Sequence, residues 1–265
     1  NERNLAVLRK LISRPYGMIL CVGPTGSGKT TTLHAILGHV NVPGVKIWTA
    51  EDPVEITQPG LRQVQVHPKI DFTFAAAMRS FLRADPDVIM VGEMRDHETA
   101  AIGVEASLTG HLVFSTLHTN SAPETIVRLL DMDIDPFNFA DALLGIMAQR
   151  LIRLNCTHCA VDVVPDAQLL ADSCLQNEDI GTMKFRAGQG CGQCRGTGFK
   201  GRKAIAEILF LNDQIRELII TRQPMRFLRE AATNNGTRFL RESAIDLVRS
   251  GETTLQEINR VTLVT

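Results

Sequence analysis

Gly23-Pro24-Thr25-Gly26-Ser27-Gly28-Lys29-Thr30 has the spacing G-x-x-x-x-G-K-S/T, the pattern of a loop built to hold a nucleotide's phosphates. Glycines let successive backbone N–H groups turn inward around phosphate oxygens. A helix opening near Gly28 adds the positive end of its dipole. Lys29 then reaches the β- and γ-phosphates, the Thr30 hydroxyl is placed for Mg²⁺, and Thr31 can touch the α-phosphate. The loop needs a buried strand before it and a helix after it. Met18–Val22 supplies the apolar run, and a helical pattern continues to about Leu37.

Hydrolysis further requires carboxylates at neighbouring strand ends. Glu51-Asp52-Pro53-Val54-Glu55 follows the expected strand Val45–Ala50, where ligands bind in open α/β sheets. Pro53 stiffens that segment and would hold Glu55 in place. Gly92-Glu93 ends the apolar run Val88–Val91; Gly92 stands where such sites commonly carry Asp, which leaves Mg²⁺ to Thr30 and to Glu93, directly or through water. His118 follows Leu112–Leu117 in a polar run able to sense a γ-phosphate.

Four of the six cysteines form a second constellation. Cys156-x-x-Cys159 is separated by thirty-one residues from Cys191-x-x-Cys194, the ligand set of a closed structural Zn²⁺ site. His158 lies inside the first knuckle, but four thiolates leave it no vacancy. Gly190, Gly192, Gly196 and Gly198 give the second pair backbone freedom. A metal there folds a segment too polar to fold itself, and free thiols fit a reducing compartment.

The elements that must position these groups follow from periodicity. Asn1–Arg14 reads as a helix with Leu5, Leu8, Leu11 and Ile12 on one face. Leu61–Val66 alternates as a half-exposed strand, and Thr73–Arg83 and Asp96–Leu108 read as helices. Ser121-x-x-Glu124 and Asp135-Pro136 open two more. Strands alternating with helices predict an α/β core with a mainly parallel sheet and helices on both faces. After the polar cysteine segment come an apolar run, Ala204–Leu211, and a helical tail. Asn212 caps its first helix, Pro224 opens another and Thr253-x-x-Gln256 caps the last. The tail's apolar positions Ile215, Leu218, Ile219, Leu228, Leu240, Ile245 and Leu247 are expected in the core. The division is 1–153 for the ATPase core, 154–202 for the cysteine module and 203–265 for the final strand and helices.

Composition narrows the function. In 265 residues, 44% hydrophobic and 22% charged, a proper core can be buried. Twenty-eight basic against 29 acidic residues, with 5% aromatics, leave neither the basic surplus nor the stacking platforms of a nucleic-acid binder. No apolar run approaches the roughly 20 residues that span a bilayer. The first residue is Asn rather than Met, as expected of a piece of a longer protein.

The four segments GPTGSGKTTTL (23–33), AEDPVE (50–55), LRADPDVIMVGEMRD (82–96) and STLHTNSA (115–122) together resemble the Walker A, Asp box, Walker B and His box of secretion ATPases. The chain is most similar to the bacterial type II secretion and type IV pilus assembly ATPases. That resemblance implies a RecA-like P-loop core, a homo-hexamer, and a cytoplasmic location peripheral to the inner membrane. It also implies ATP-driven extension of a pilus or pseudopilus through a platform protein. By the same resemblance Glu55 polarises the attacking water, Glu93 organises Mg²⁺, and His118 couples phosphate state to subunit motion. Arg79, Arg83, Arg95 and Arg128 become candidates to touch phosphate or a neighbouring subunit. Family members meet docking proteins mostly through N-terminal domains that this chain lacks, one of which also closes over the nucleotide. The tetracysteine module marks assembly and secretion motors, whereas retraction motors usually lack it. Two alternatives on the same core are a nucleic-acid translocase and a non-hydrolysing, nucleotide-gated scaffold.

Overall fold

A computed structural model of the chain describes residues 2–175 and 180–262. Apolar runs too short to be helices and covered on both sides become strands: β1 (Gly17–Val22), β4 (Val88–Val91) and β5 (Leu112–Leu117) are buried at every position. With β2 (Ile47–Glu51), β3 (Arg62–Gln65), β6 (Leu143–Asn155) and β9 (Phe199–Phe210) they form one sheet in the order β3-β2-β4-β5-β1-β6-β9. The pairs β1/β5, β1/β6, β2/β3, β2/β4 and β4/β5 are all parallel. Parallel strands need long crossovers, usually helical; residues 52–61 join β2 to β3 without a helix, and the other connections up to β6 carry helices. These are α2 (Lys29–Val40), α3 (Phe74–Phe81), α4 (His97–Leu108), α5 (Ala122–Asp131) and α6 (Pro136–Ala142). The expected α/β class with a mostly parallel sheet is the one observed.

Side chains fix where the helices start. Thr73, Asp96, Ser121 and Asp135 each accept a hydrogen bond from the backbone N–H three residues on, satisfying donors that the first turn leaves orphaned. The first helix, α1 (Glu2–Ile12), stops two residues before Arg14, and Asn1 lies outside the described residues. Of the four apolar positions expected to share its face, Leu11 and Ile12 are buried, Leu8 is half-buried and Leu5 is exposed.

Strand β6 is the element the sequence pattern does not announce. LLGIMAQRLIRLN has no strict alternation because its first half is buried on both faces, so it reads equally as the continuation of a helix. Strand β9 likewise starts at Phe199 rather than Ala204, through the exposed stretch 200–204.

Two compact units result, Asn1–Ala148 with Glu207–Thr237 and Gln149–Ala206 with Arg238–Thr265. The first carries the sheet core and the helices α8 (Asp213–Ile220) and α9 (Met225–Asn234). Asn212 caps α8 as expected, and Ile215, Ile219 and Leu228 are buried there.

The second unit holds the antiparallel pair β7 (Ala160–Asp162) and β8 (Arg186–Gly188), the short α7 (Ala167–Asp172), α10 (Leu240–Arg249) and α11 (Leu255–Val261). Leu240 and Leu247 are buried in it, while Leu218 of the first unit and Ile245 of the second are half-buried. The cap of α11 falls on Thr254, whose hydroxyl accepts from Glu257 N at 3.2 Å, rather than on Thr253, whose hydroxyl donates to Arg153 O at 2.8 Å. Among the described residues no helix is long and apolar enough to cross a membrane.

A buried acid ties this second unit together. Both oxygens of Glu257 are gripped by Arg153 and Arg260 at 2.7–3.0 Å. Burial pushes its pKa up, but the two guanidinium groups and the Arg153 N–H outweigh that and hold it at about 2, against an ordinary 4.5. A carboxyl depressed in the folded state stabilises the fold above its unfolded pKa, and this contribution fades as pH falls from 4.5 toward 2. Glu257→Gln should therefore lower stability at neutral pH by about 1–3 kcal/mol. It should also flatten the acid limb of the melting temperature against pH, followed by circular dichroism.

Candidate functional site

Because β2, β4, β5 and β1 are neighbours and parallel, their carboxyl ends share one edge of the sheet. At roughly 4.8 Å per strand, the outermost two stand about 14 Å apart. All four motifs emerge there: the phosphate loop after β1, the acidic segment after β2, Glu93 after β4 and His118 after β5.

In the phosphate loop, Gly26 has φ 76° and Gly28 φ 89°, the latter at the residue just before α2. Both lie in the left-handed region that side chains disfavour, which bends the chain from strand into loop and again into helix. Pro24, Thr25 and Gly26 are exposed at the rim, Ser27 and Lys29 are buried, Gly28 and Thr30 are half-buried and Thr31 is exposed. Lys29 Nζ donates to Gly23 O at 2.7 Å and Pro24 O at 3.1 Å, so the ammonium is pinned inside the curve of the loop. Cys21, buried behind it in β1, has its thiol pushed up to about 12 by burial, which Lys29 only partly opposes.

Glu93 has a side-chain nitrogen at each of its oxygens. Arg95 Nε donates to Oε2 at 2.7 Å and His118 Nε2 lies 3.3 Å from Oε1. Two strand ends are thereby joined through side chains. Gly92 has a steric reason for lacking a side chain: a Cβ there would lie 3.2 Å from Ala50 O and 3.5 Å from Glu51 Cα. A side chain there would need the Ala50 carbonyl to give by a few tenths of an ångström. A carboxylate and a threonine hydroxyl, both oxygen donors, fit a hard cation such as Mg²⁺.

The three acids at the end of β2 and just beyond it separate. Glu51 is buried, whereas Asp52 and Glu55 are exposed. Glu55 is held through its backbone neighbours, since Gln63 donates to Ile56 O (2.8 Å) and accepts from Gln58 N (2.8 Å). Sequence reasoning named the acids but missed His34, Gln58 and Gln63, which organise them. The only hint was glutamines at alternate positions of a short edge strand.

Of the candidate arginines, Arg95 joins the Glu93 cluster. Arg79 pairs with Glu98 between α3 and α4. Arg83 and Arg128 are exposed, in the turn after α3 and on α5.

The four cysteine sulfurs converge in the second unit, all within 4.8 Å of one another. Cys156–Cys191, Cys159–Cys194 and Cys191–Cys194 are separated by 3.9, 3.8 and 3.7 Å. A disulfide needs about 2.05 Å, whereas a tetrahedron of sulfurs about 2.3 Å from a central Zn²⁺ has edges of about 3.8 Å. The donor set fits zinc in number, type and spacing. Burial opposes ionisation of Cys194, yet the N–H groups of Cys191 and Gly198 aimed at its sulfur prevail and bring it down to about 6. Burial pushes Cys159 up to about 11. The cluster is anchored by Asn155, whose N–H donates to Glu252 O (2.7 Å) and whose amide reaches Gly251 O (3.0 Å) and Arg186 O (2.9 Å).

Comparison with known proteins places this geometry. The family profile described as Type II/IV secretion system protein matches residues 1–260. The type IV pilus assembly ATPase PilB of Thermus thermophilus is 47% identical over 250 residues, covering 94% of this chain and 28% of the relative. The type II secretion system protein HxcR of Pseudomonas aeruginosa is 49% identical over 258 residues, covering 97% and 51%. The chain thus spans only a quarter to a half of these relatives' lengths. The crystal structure of the pilus retraction motor PilT with bound ADP aligns at a TM-score of 0.70 and 30% identity, over 97% of this chain and 64% of that one.

A four-sulfur site of this kind should copurify with close to one zinc per chain. Cys194→Ser should lose the metal and, together with strong chelation of the unsubstituted protein, should abolish hydrogen-exchange protection in residues 155–200 while leaving β1 and β5 protected. Apparent zinc-binding energies of about 10–16 kcal/mol make such loss of local order the expected outcome.

Proposed function

The chain belongs to the type II/IV secretion system protein family, and we propose that it is the ATP-hydrolysing portion of a hexameric motor for type II secretion or type IV pilus assembly. The observation carrying this reading is the single sheet edge that gathers a phosphate loop, two acids and a histidine from four adjacent strands. ATP's phosphates lie in the 23–30 loop against its N–H groups, the start of α2 and Lys29. Thr30 and Glu93 hold Mg²⁺, which when bound neutralises charge on the β- and γ-phosphates.

Glu55, exposed at the mouth, orients and polarises the attacking water. His118 shares Glu93 as a partner and so registers what that carboxylate binds. Exposed Arg83 and Arg128 are free to face a neighbouring subunit, whose groups P-loop motors commonly use to complete the site. The tetracysteine cluster, read as a structural Zn²⁺ site, supports assembly or secretion rather than retraction. Anchoring to the inner membrane falls to platform and docking proteins, reached mostly through regions outside this chain.

Lys29→Ala should abolish ATP binding in calorimetry. Glu55→Gln and Glu93→Gln should keep nucleotide affinity while turnover falls by about 10²–10³; normal turnover in both would overturn the assigned roles. In the unsubstituted protein, ATPase stimulation by single- or double-stranded DNA at physiological salt would point to a translocase, and tight nucleotide binding with no turnover to a nucleotide-gated scaffold.

Turnover per chain should also rise as the protein is concentrated from nanomolar to high micromolar, in step with ring formation seen by light scattering. A flat profile would show that each chain works alone.

A further inference from the structure

Glu51 is only 4% exposed, and both of its oxygens have partners. Oε1 accepts from Thr49 Oγ1 at 2.7 Å and from Gln63 Nε2 at 2.9 Å, while His34 Nε2 lies 3.2 Å from Oε2. A carboxylate so occupied is not aimed at a phosphate or a water. Its partners instead lead in two directions. Gln63 spends its second N–H on Ile56 O and its carbonyl on Gln58 N, pinning the segment that follows Glu55. Gln58 Nε2 then donates to His34 O at 2.9 Å. His34 lies one helical turn beyond Thr30 in α2, so the circuit closes on the helix that begins at the phosphate loop.

Stability alone is a poor reason for this circuit. It buries an acid, and it leaves His34 Nδ1 and Gln58 Oε1 buried without hydrogen-bond partners, which an apolar cluster of the same shape would avoid. A network that is costly to bury but fixed in geometry is worthwhile where a position must be held.

We propose that Glu51 is a positioning residue for hydrolysis: through Gln63 and His34 it fixes the loop carrying Glu55 relative to the phosphate-loop helix. The proposal rests on the hydrolytic reading above. Glu51 acts only through Glu55 and touches no substrate, so its loss alters the rate of the chemical step and not the grip on nucleotide.

The test is steady-state ATPase kinetics and ADP titration on the full-length protein, with Glu51→Leu, Gln63→Leu and Glu51→Gln made alone and in a Glu55→Gln background. Glu51→Leu and Gln63→Leu should each lower kcat by about tenfold or more while KM for ATP and Kd for ADP stay within about twofold. Glu51→Gln, which keeps an oxygen toward Thr49 and Gln63, should restore much of that loss. In the Glu55→Gln background, Glu51→Leu should cost nothing further.

Losses that multiply in the double variant overturn the proposal, as does an unchanged kcat or a rise in KM that accounts for the loss. Gln63→Leu, on the edge strand, carries the same comparison if Glu51→Leu does not accumulate as folded protein. An unsubstituted protein with no ATPase activity would instead sink the hydrolytic reading itself.

Discussion

Parallel pairing of strands is the constraint on which the rest depends. When β2, β4, β5 and β1 run the same way side by side, whatever follows each strand emerges at the same edge, within reach of whatever follows its neighbour. Residues as distant in sequence as Gly23, Glu51, Glu93 and His118 become one site without any loop being long. The hydrogen-bond ladder continues past the strand ends, through Gly23 N to Leu117 O, Gly92 N to Ala50 O and Met94 N to Thr116 O, so the site begins on rigid backbone. Buried apolar strands hold that backbone; side chains such as Glu93 and His118 only have to lean across one strand spacing.

Much of this was legible from residue types alone. Runs such as Met18–Val22 and Leu112–Leu117 are too short for helices and too apolar for anything but a doubly covered strand, and Thr73, Asp96, Ser121 and Asp135 mark their helices because a side-chain oxygen there meets an orphaned donor. The phosphate loop and the paired cysteines were legible because their chemistry tolerates few substitutes. Strand β6 was hidden by being buried on both faces in its first half, which erases the alternation that would distinguish it from a helix. The difference between Glu51 and Glu55 was hidden for another reason: it depends on Gln63 and His34, which meet Glu51 only after the sheet and α2 have packed. A run of three acids in five residues announces charge, not which charge is sealed away.

Sequence likewise gave no sign that Gly92 packs closely on the Ala50 carbonyl. The carboxylate one residue along is shared with Arg95 and His118.

The anchoring of Asn155 bears on how portable the cysteine segment is. Its knuckles look like a self-contained cassette when read along the chain, yet Asn155 leans on the main chain at residues 251 and 252, and Arg153 on Glu257. Lifting residues 154–202 into another scaffold would leave behind the helical ends they rest on. A transplant would have to bring residues 238–262 as well, so this module is portable only as two stretches of chain together.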